Sequence, residues 1–320
     1  MKIGIIADSI REKRTGIGNY TFNLIHELKK INTNNQKNQY YLIDNATSKT
    51  HVDSEKTIII KNPLKKISKV YFWYLYTALK LRGIEKKFDL IHNPSQAPTF
   101  FKIKNNVITV HDITPILFPE KHSFIRSLIY RLFMGRTLKN AKKIIADSES
   151  TKKDLIKVFK LPEEKIKVIY LGVNENFKII TNKKKLDESK EKFSLFFPFI
   201  LTVSTLEPRK NIPNLIRAFS TLKKEKKIRQ KLVVAGQKGW KYKEIFDLTR
   251  KLGMEKEIIF LGYISEDKLI CIYNLADLFV FPSFYEGFGF PVLEAMKCGC
   301  PVITSNVSSL PEVSGNAAIQ

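Results

Sequence analysis

The chain is poor in cysteine: three of its 320 residues are cysteines, Cys271, Cys298 and Cys300. An odd count without a Cys-x-x-Cys pair argues against a disulfide framework. The sequence therefore predicts a protein of the reducing cytoplasm.

Long apolar runs are also absent. No window approaches the roughly 20 apolar residues that a membrane-spanning helix needs. The first apolar run, Ile3 to Ala7, is too short for a signal peptide and is typical of a strand. Any contact with a membrane is expected to be peripheral, on its cytoplasmic face.

Acidic residues are few, with 31 Asp and Glu against 55 Lys and Arg, which gives a formal net charge of +24. This excess has four interpretations: a solvated lysine-rich surface, an anionic membrane, a phosphorylated substrate and nucleic acid. No nucleic-acid motif accompanies the charge, so nucleic acid is not expected as a partner. Hydrophobic residues make up 43% of the chain, enough for the cores of two domains.

Short apolar runs alternate with amphipathic segments along the whole chain, which is typical of parallel sheets covered by helices. Strands are predicted near residues 2–7, 39–43, 57–61, 89–92, 107–111, 143–147, 166–173, 199–204, 231–236, 258–264 and 278–283. The lysine-rich segment before residue 196 lacks a clear pattern and is interpreted as a linker. The predicted domains are 1–178 and 196–320, with the linker at 179–195.

One stretch combines several signals. The apolar run from Leu278 to Phe281 predicts a buried strand, and Gly287 and Gly289 permit a tight loop behind it. Pro291 suits the first turn of a helix, and Gly299 suits its end. A strand, a glycine loop and a helix N-terminus in this order form the geometry of a phosphate site, here flanked by Glu286 and Glu294.

This stretch resembles the Glu-x7-Glu signature of the retaining nucleotide-sugar glycosyltransferases of family GT4. The resemblance implies the GT-B fold, in which two Rossmann-like α/β domains face each other across a cleft. It also implies that Glu294 accepts from the ribose, that Glu286 accepts from the transferred hexose, and that the loop amides hold phosphate. Those amides belong to Gly287, Phe288, Gly289 and Phe290. The backbone near the base is expected at Gly236, Tyr263 and Ile264.

A second match is the run Glu207-Pro208-Arg209-Lys210-Asn211, which follows a predicted strand. Arg209 and Lys210 are similar to the family's diphosphate clamp, in which arginine binds bidentately and lysine acts as a point charge. Negative charge develops on the departing diphosphate, so both cations are candidate catalytic residues. The commoner pattern has Gly-Arg where this chain has Ser204 and Thr205, and Arg209 is a candidate for the missing guanidinium.

The first domain contains Gly16 and Gly18 before a predicted helix. The resemblance places them in a loop that faces the acceptor and the donor phosphate. A plain flexible turn and a dinucleotide fingerprint are the alternatives. Against the fingerprint, Thr21 occupies the third glycine position and the loop after Asp8 is too long.

Two histidines, His92 and His111, follow strands at the edge where α/β sheets bind ligands. The run from His111 to Pro115, with Phe118-Pro119-Glu120, resembles a mannosyltransferase-like branch of the family in which the histidine reaches the transferred sugar. A capping or core histidine is the alternative. Ser148 or Ser150 is predicted as the N-cap of the next helix, and the family resemblance gives a position near the cleft as the alternative.

The aromatic segment 70–81 is apolar on nearly every face and predicts either a buried helix or an interfacial one. The resemblance further implies another strand and several helices after Gln320, without which the second sheet is incomplete. No Asp-x-Asp motif ends a strand, so neither a metal ion nor a cofactor is expected.

The sequence thus predicts a hexosyltransferase, with mannose as a candidate sugar, that uses a nucleoside-diphosphate sugar and a saccharide or lipid-linked acceptor. Surface polysaccharide or glycolipid assembly is the expected setting. The alternatives are a phosphorylase or sugar-phosphate transferase on the same fold, or an inactive sugar-nucleotide-binding or membrane-binding module. A hydrolytic pair of Glu286 and Glu294 is also open, because the loop between them changes the roughly 12 Å of eight helical positions.

Overall fold

The computed structural model describes residues 1–10, 16–35, 37–45, 57–60, 76, 79–99 and 101–320. The chain divides into two units, Met1–Tyr170 and Leu171–Gln320. The predicted α/β class with two parallel sheets is confirmed.

In the described part of the first unit, seven parallel strands form one sheet in the order β3-β2-β1-β4-β5-β6-β7. The strands are β1 Lys2–Ile6, β2 Gln39–Asn45, β3 Thr57–Ile60, β4 Leu90–Asn93, β5 Asn106–Val110, β6 Lys143–Ala146 and β7 Ile166–Val168. Neighbouring residues point to opposite faces, so Ile5 packs with Ile25 and Leu42 while Ile6 packs with Ile43 and Ile91. Burial on both faces explains why isoleucine, leucine and valine are frequent in the central strands.

Helices cover this sheet at Gly16–Asn35, Thr114–Leu117, Phe124–Ile129, Gly135–Asn140 and Glu149–Phe159. A π-helical turn, Tyr130–Met134, joins the third and fourth of these into one continuous helical segment. The last helix is capped by Ser148, whose hydroxyl accepts from the Thr151 amide at 3.0 Å, as predicted.

The second unit has a five-stranded parallel sheet in the order β10-β9-β8-β11-β12. Its strands are β8 Phe199–Val203, β9 Lys231–Ala235, β10 Ile258–Gly262, β11 Leu278–Phe281 and β12 Val302–Thr304. Its helices are Lys183–Phe193, Ile212–Lys224, Lys243–Lys251, Glu266–Leu275, Phe290–Lys297 and Leu310–Ser314. One core contains Leu201 and Val233, and the other contains Leu232 and Val234, again on opposite faces of the sheet.

The predicted linker at 179–195 is wrong. It contains the helix Lys183–Phe193, and the boundary between the units falls after Tyr170. Phe177 and Leu195 are buried in the second core, and the Ile180 amide donates to Asn274 Oδ1 at 2.8 Å. These contacts bind the segment to the second unit.

The predicted position of Gly16 and Gly18 is also corrected. Both lie within the first turn of the helix Gly16–Asn35 rather than before it. Gly18, Thr21 and Ile25 are buried on one side, so the buried face of the helix extends back into this turn. The strand predicted to continue to residue 173 ends at Val168. Of the aromatic segment 70–81, most lies outside the described residues.

Among the residues that the structure describes, no helix combines the length and the apolar character needed to cross a bilayer.

Candidate functional site

The order of the second sheet determines which loops meet. Strand β8 lies between β9 and β11, so the chain leaves β8 in one direction and later returns on its other side at β11. Such a switch point is where open α/β sheets bind ligands, beyond the carboxyl ends of the strands. Here the loop after β8 carries Arg209 and Lys210, and the loop after β11 carries Glu286.

The structure brings these three side chains together. Arg209 donates to Glu286 Oε2 at 2.9 Å, and Lys210 donates to Glu286 Oε1 at 2.6 Å. Arg209 also donates to the Tyr285 carbonyl at 2.7 Å and pairs with Glu207 at 2.9 Å. The Phe284 amide donates to the Arg209 carbonyl at 2.9 Å, so the two loops are joined through backbone as well as side chains. We call these residues the basic cluster: Glu207, Arg209, Lys210 and Glu286.

Burial controls the electrostatics of the basic cluster. Burial alone raises the pKa of Glu286, but the charges of Arg209 and Lys210 outweigh it and hold that pKa below its usual value. Burial and the nearby Arg209 charge lower the pKa of Lys210, against the opposing pull of Glu286. Two cations thus share the carboxylate of Glu286 in a poorly solvated place.

The glycine loop next to Glu286 opens the helix Phe290–Lys297. Gly289 is its N-cap residue with φ of +108°, and a Cβ there would lie 2.8 Å from Leu310 Cδ2. Both the conformation and the close approach require glycine at this position. The first amides of a helix lack partners within it and carry partial positive charge, so this N-terminus adds to the positive character beside Arg209 and Lys210.

Two serines that the sequence analysis missed hold this loop. Ser308 Oγ accepts from the Glu286 amide at 2.9 Å, while Ser309 Oγ lies 3.0 Å from the Glu286 carbonyl and 2.7 Å from that of Phe288. Ser309 is fully buried. Both serines follow β12, the strand next to β11, at the carboxyl edge of the sheet. A pair of serines directly behind a strand was the sequence signal that could have identified them.

Glu294 lies one turn inside the helix and contacts a residue of another helix. The Tyr273 hydroxyl, which is fully buried, donates to Glu294 Oε2 at 2.9 Å. Burial raises the pKa of Glu294 to about 7, although the Tyr273 hydrogen bond works in the opposite direction. Glu294 therefore changes charge near neutral pH, unlike Glu286.

The residues predicted near a base follow the next two strands. Gly236 directly follows β9 with φ of +144°, and a Cβ there would lie 1.8 Å from the Ser204 carbonyl oxygen. Only glycine allows that approach. Tyr263 and Ile264 follow β10, one strand further from β8. Tyr263 is half exposed, whereas Ile264 packs against the core, so these two side chains do not line one surface together.

In the first unit, His111 is enclosed by protein groups. Its Nδ1 lies 2.5 Å from Asp147 Oδ2, and its Nε2 lies 2.8 Å from the Pro94 carbonyl. The carboxylate and the carbonyl are both acceptors, so this geometry suits a ring that donates from both nitrogens. Burial lowers the pKa of His111, but the Asp147 charge and hydrogen bond outweigh it, so the net shift is upward.

The surroundings of His111 are also ordered. The Tyr20 ring meets it edge-on at 4.8 Å between centroids, and Gln96 Oε1 accepts from its backbone amide at 2.7 Å. His92 pairs with Thr109 at 2.8 Å, and burial lowers the pKa of His92 to about 4, so this ring is neutral. We call this group the histidine network: Tyr20, His92, Thr109, His111 and Asp147.

The chain matches two known families. Residues 14–177 match the family described as Glycosyltransferase Family 4, and residues 182–319 match Glycosyl transferases group 1. The two matches divide the chain close to the boundary between its structural units.

Curated relatives include bacterial mannosyltransferases. The O-antigen chain mannosyltransferase B of Escherichia coli is 30% identical over 332 residues, covering 100% of this chain and 86% of its own length. The serotype-specific mannosyltransferase WbdA of the same species is 37% identical over 215 residues, which is 65% of this chain but 26% of WbdA. The O-antigen chain mannosyltransferase RfbU of Salmonella typhimurium is 30% identical over 253 residues, covering 77% of this chain and 65% of RfbU.

Solved structures agree in fold. The lipopolysaccharide glycosyltransferase WaaG matches with a TM-score of 0.75 at 17% identity, covering 98% of this chain and 83% of WaaG. Anabaena HepE, solved with UDP and glucose, matches with a TM-score of 0.69 at 20% identity, covering 98% of this chain and 82% of HepE.

Proposed function

This chain belongs to the family 4 glycosyltransferases with the group 1 domain and the GT-B fold, and on that premise we propose that it moves a hexose from a nucleoside-diphosphate sugar to a saccharide or lipid-linked acceptor. The observation that carries the proposal is the basic cluster beside the N-terminus of Phe290–Lys297. A diphosphate needs cations and amide donors arranged in this way.

The chemistry asked of these residues is electrostatic. As the bond between sugar and diphosphate breaks, negative charge grows on the leaving oxygen, and Arg209 and Lys210 stabilise it. Their side chains are mostly buried, so water screens these charges only weakly. We propose that no metal ion is required, because the two cations supply the charge; activity is then expected to survive EDTA.

Glu286 and Glu294 have separate roles in this proposal. Glu286 accepts from hexose hydroxyls through its remaining lone pairs, and Glu294 accepts from the ribose. Because the pKa of Glu286 is lowered and that of Glu294 is raised to about 7, the donor contact at Glu294 is the one that depends on pH. A hydrolytic pair fits poorly, since the carboxylate of Glu286 is tied to two cations instead of facing a bond to be cleaved.

Gly287, Phe288, Gly289 and Phe290 present backbone to the phosphates, and Gly236, Tyr263 and Ile264 present backbone to the base. The resemblance gives His111 contact with the transferred sugar. That contact requires Nε2 to leave the Pro94 carbonyl, because Nδ1 is held by the buried Asp147.

Mannose as the transferred sugar rests on three curated relatives that are named mannosyltransferases, two of them of the O-antigen chain. We therefore propose surface polysaccharide assembly as the setting and retention of anomeric configuration as the outcome, as in the family that the motifs resemble.

The test is a panel of GDP-mannose, UDP-glucose, UDP-galactose and UDP-N-acetylglucosamine with a mannosylated lipid-linked acceptor. We expect acceptor-dependent release of nucleoside diphosphate with one donor, and NMR of the product reports its anomeric configuration. Release of sugar 1-phosphate from a glycan and inorganic phosphate would indicate a phosphorylase instead. Donor binding without turnover of any acceptor would indicate an inactive binding module.

A further inference from the structure

Residues 124–140 of the first unit form a continuous helical segment with a well-packed inner side. Tyr130, Met134 and Leu138 are buried in the core that also contains Ile108 and Ile144. The π-helical turn at Tyr130–Met134 lies inside this packed part. The position of the segment is therefore fixed by its inner side, independently of what its outer side contacts.

The outer side has an unusual composition. Each exposed residue of the segment is either large and apolar or basic. Phe124 is 78% exposed and Leu132 is 60% exposed, with Ile125 and Leu128 also exposed. The exposed basic residues are Arg131, Arg136 and Lys139. We call these seven side chains the basic-apolar face.

The helix Lys183–Phe193 shows what a solvated helix face looks like in the same chain. Its exposed residues are charged, they include both signs, and none is apolar: Lys183, Lys184, Lys185, Asp187, Glu188, Glu191 and Lys192. A lysine-rich surface in water therefore does not account for the basic-apolar face, because exposed phenylalanine and leucine gain nothing from water.

The charge of the region indicates what covers the face. No acidic residue occurs between Glu120 and Asp147. The basic residues of that interval are Lys121, Arg126, Arg131, Arg136, Lys139, Lys142 and Lys143. An anionic lipid surface complements both properties at once, since apolar side chains enter the acyl boundary while arginine and lysine reach the headgroup phosphates.

We propose that the basic-apolar face docks the first unit on an anionic lipid bilayer, with Phe124, Leu128 and Leu132 entering the headgroup–acyl boundary. The attachment is peripheral and reversible. It is independent of the proposed transfer reaction, because none of its residues belongs to the basic cluster or the histidine network.

The experiment measures sedimentation of the purified full chain with vesicles of phosphatidylcholine alone and with vesicles containing phosphatidylglycerol. We expect binding to the anionic vesicles that weakens with salt. The variant Phe124→Ser/Leu132→Ser is expected to lose roughly tenfold or more in partition coefficient, since two large apolar side chains no longer enter the boundary. Arg131→Gln/Arg136→Gln/Lys139→Gln is expected to lose roughly a hundredfold on anionic vesicles, at about fivefold for each charge.

Matched controls come from the second unit. Phe196→Ser removes a phenylalanine that is 71% exposed, and Lys183→Gln/Lys184→Gln/Lys185→Gln removes three exposed charges. Both are expected to bind vesicles like the parent. Equal losses in controls and face variants would mean non-specific attraction by the net charge of +24 and would overturn the proposal.

Two further results would also overturn it. One is that the parent chain does not bind anionic vesicles. The other is a self-association of the parent, seen by light scattering, that the face variants abolish, because the face would then be an interface between two copies. Unchanged thermal unfolding of the variants confirms that their loss is not a loss of fold.

Discussion

The carboxyl edges of the two sheets use ionisable residues in different ways. In the first unit, His111 contacts Asp147 through Nδ1 and a carbonyl through Nε2, and His92 is neutral, so both rings of the histidine network are held by protein groups. In the second unit, Arg209 and Lys210 converge on the buried Glu286, Arg209 also pairs with Glu207, and these side chains lie next to a helix N-terminus that adds partial positive charge. The carboxyl edge of the first sheet thus has a histidine network enclosed by protein groups, whereas the carboxyl edge of the second sheet has the proposed anion site.

The largest effect expected from this difference is on catalysis at the basic cluster. Replacing Lys210 with Gln removes one of two cations and is expected to lower kcat/KM by about 10²–10³, the usual loss for one transition-state donor. Because Glu286 keeps Arg209 as a partner at 2.9 Å, thermal unfolding is expected to change little. Steady-state kinetics with the donor found active, together with calorimetry, measure the two quantities.

Lys223 provides the control for this variant. It pairs with Glu257 at 2.8 Å and is similarly shielded, but it lies at the end of the helix Ile212–Lys224, away from the carboxyl edge of the sheet. Lys223→Gln is expected to leave kcat/KM unchanged. A loss of activity in both variants, in proportion to a common loss of stability, would contradict the assignment of an anion site.

The strand, glycine loop and helix of this site were predictable from the sequence, whereas the contacts that join them to the loop after β8 were less so. The strand, the glycine loop and the helix over 278–297 follow from residues whose conformations are specific, such as Gly289 with its φ of +108°. The ion pair between Arg209 and Glu286 joins residues 77 positions apart, and it forms because β11 inserts beside β8. Local pattern does not determine strand order, so family resemblance was needed to pair these residues.

Supporting residues were missed for a related reason. Ser309 and Tyr273 are single polar groups within buried surroundings, and their hydroxyl partners are set by tertiary packing. The helix Lys183–Phe193 was interpreted as a linker because it buries little. Only Ser189 is fully buried among its eleven residues, so its apolar period is weak.

The next effect is on stability, at the histidine network. Asp147→Asn keeps the shape but removes the charge that balances His111, and it is expected to lower the free energy of unfolding by about 2 kcal/mol, typical of a hydrogen bond to a charged group. Because the pKa of His111 is raised on folding, the stabilisation it provides is complete below its unfolded pKa and is lost as pH rises through the folded pKa. The difference between parent and variant is therefore expected to shrink from pH 5.5 to pH 9.

Urea unfolding across that range measures this difference, and comparing parent with variant cancels most of the contribution of His92. His92, whose pKa is lowered to about 4, acts in the opposite sense and destabilises both proteins as pH falls below its unfolded value. A gap that stays constant with pH would mean that His111 is neutral in the folded protein. The contrast between the two units would then lose its first part, an ion pair between His111 and Asp147 in the first unit.

The smallest expected effect tests whether the proposed anion site of the second unit extends along the helix Phe290–Lys297 to Glu294. Tyr273→Phe removes one hydrogen bond of 2.9 Å, which is expected to raise the donor KM by about threefold to tenfold at pH 8 with little change in kcat. Since that bond lowers the pKa of Glu294 from a still higher value, the variant is expected to move the pH midpoint of donor affinity upward from about 7. In both proteins, donor affinity falls as pH drops through the midpoint, because protonation of Glu294 weakens its hydrogen bond from the ribose. Tyr242→Phe, at the start of a different helix of the unit, is the control. If Tyr273→Phe leaves the pH midpoint unmoved, the proposed anion site is restricted to the basic cluster and the glycine loop.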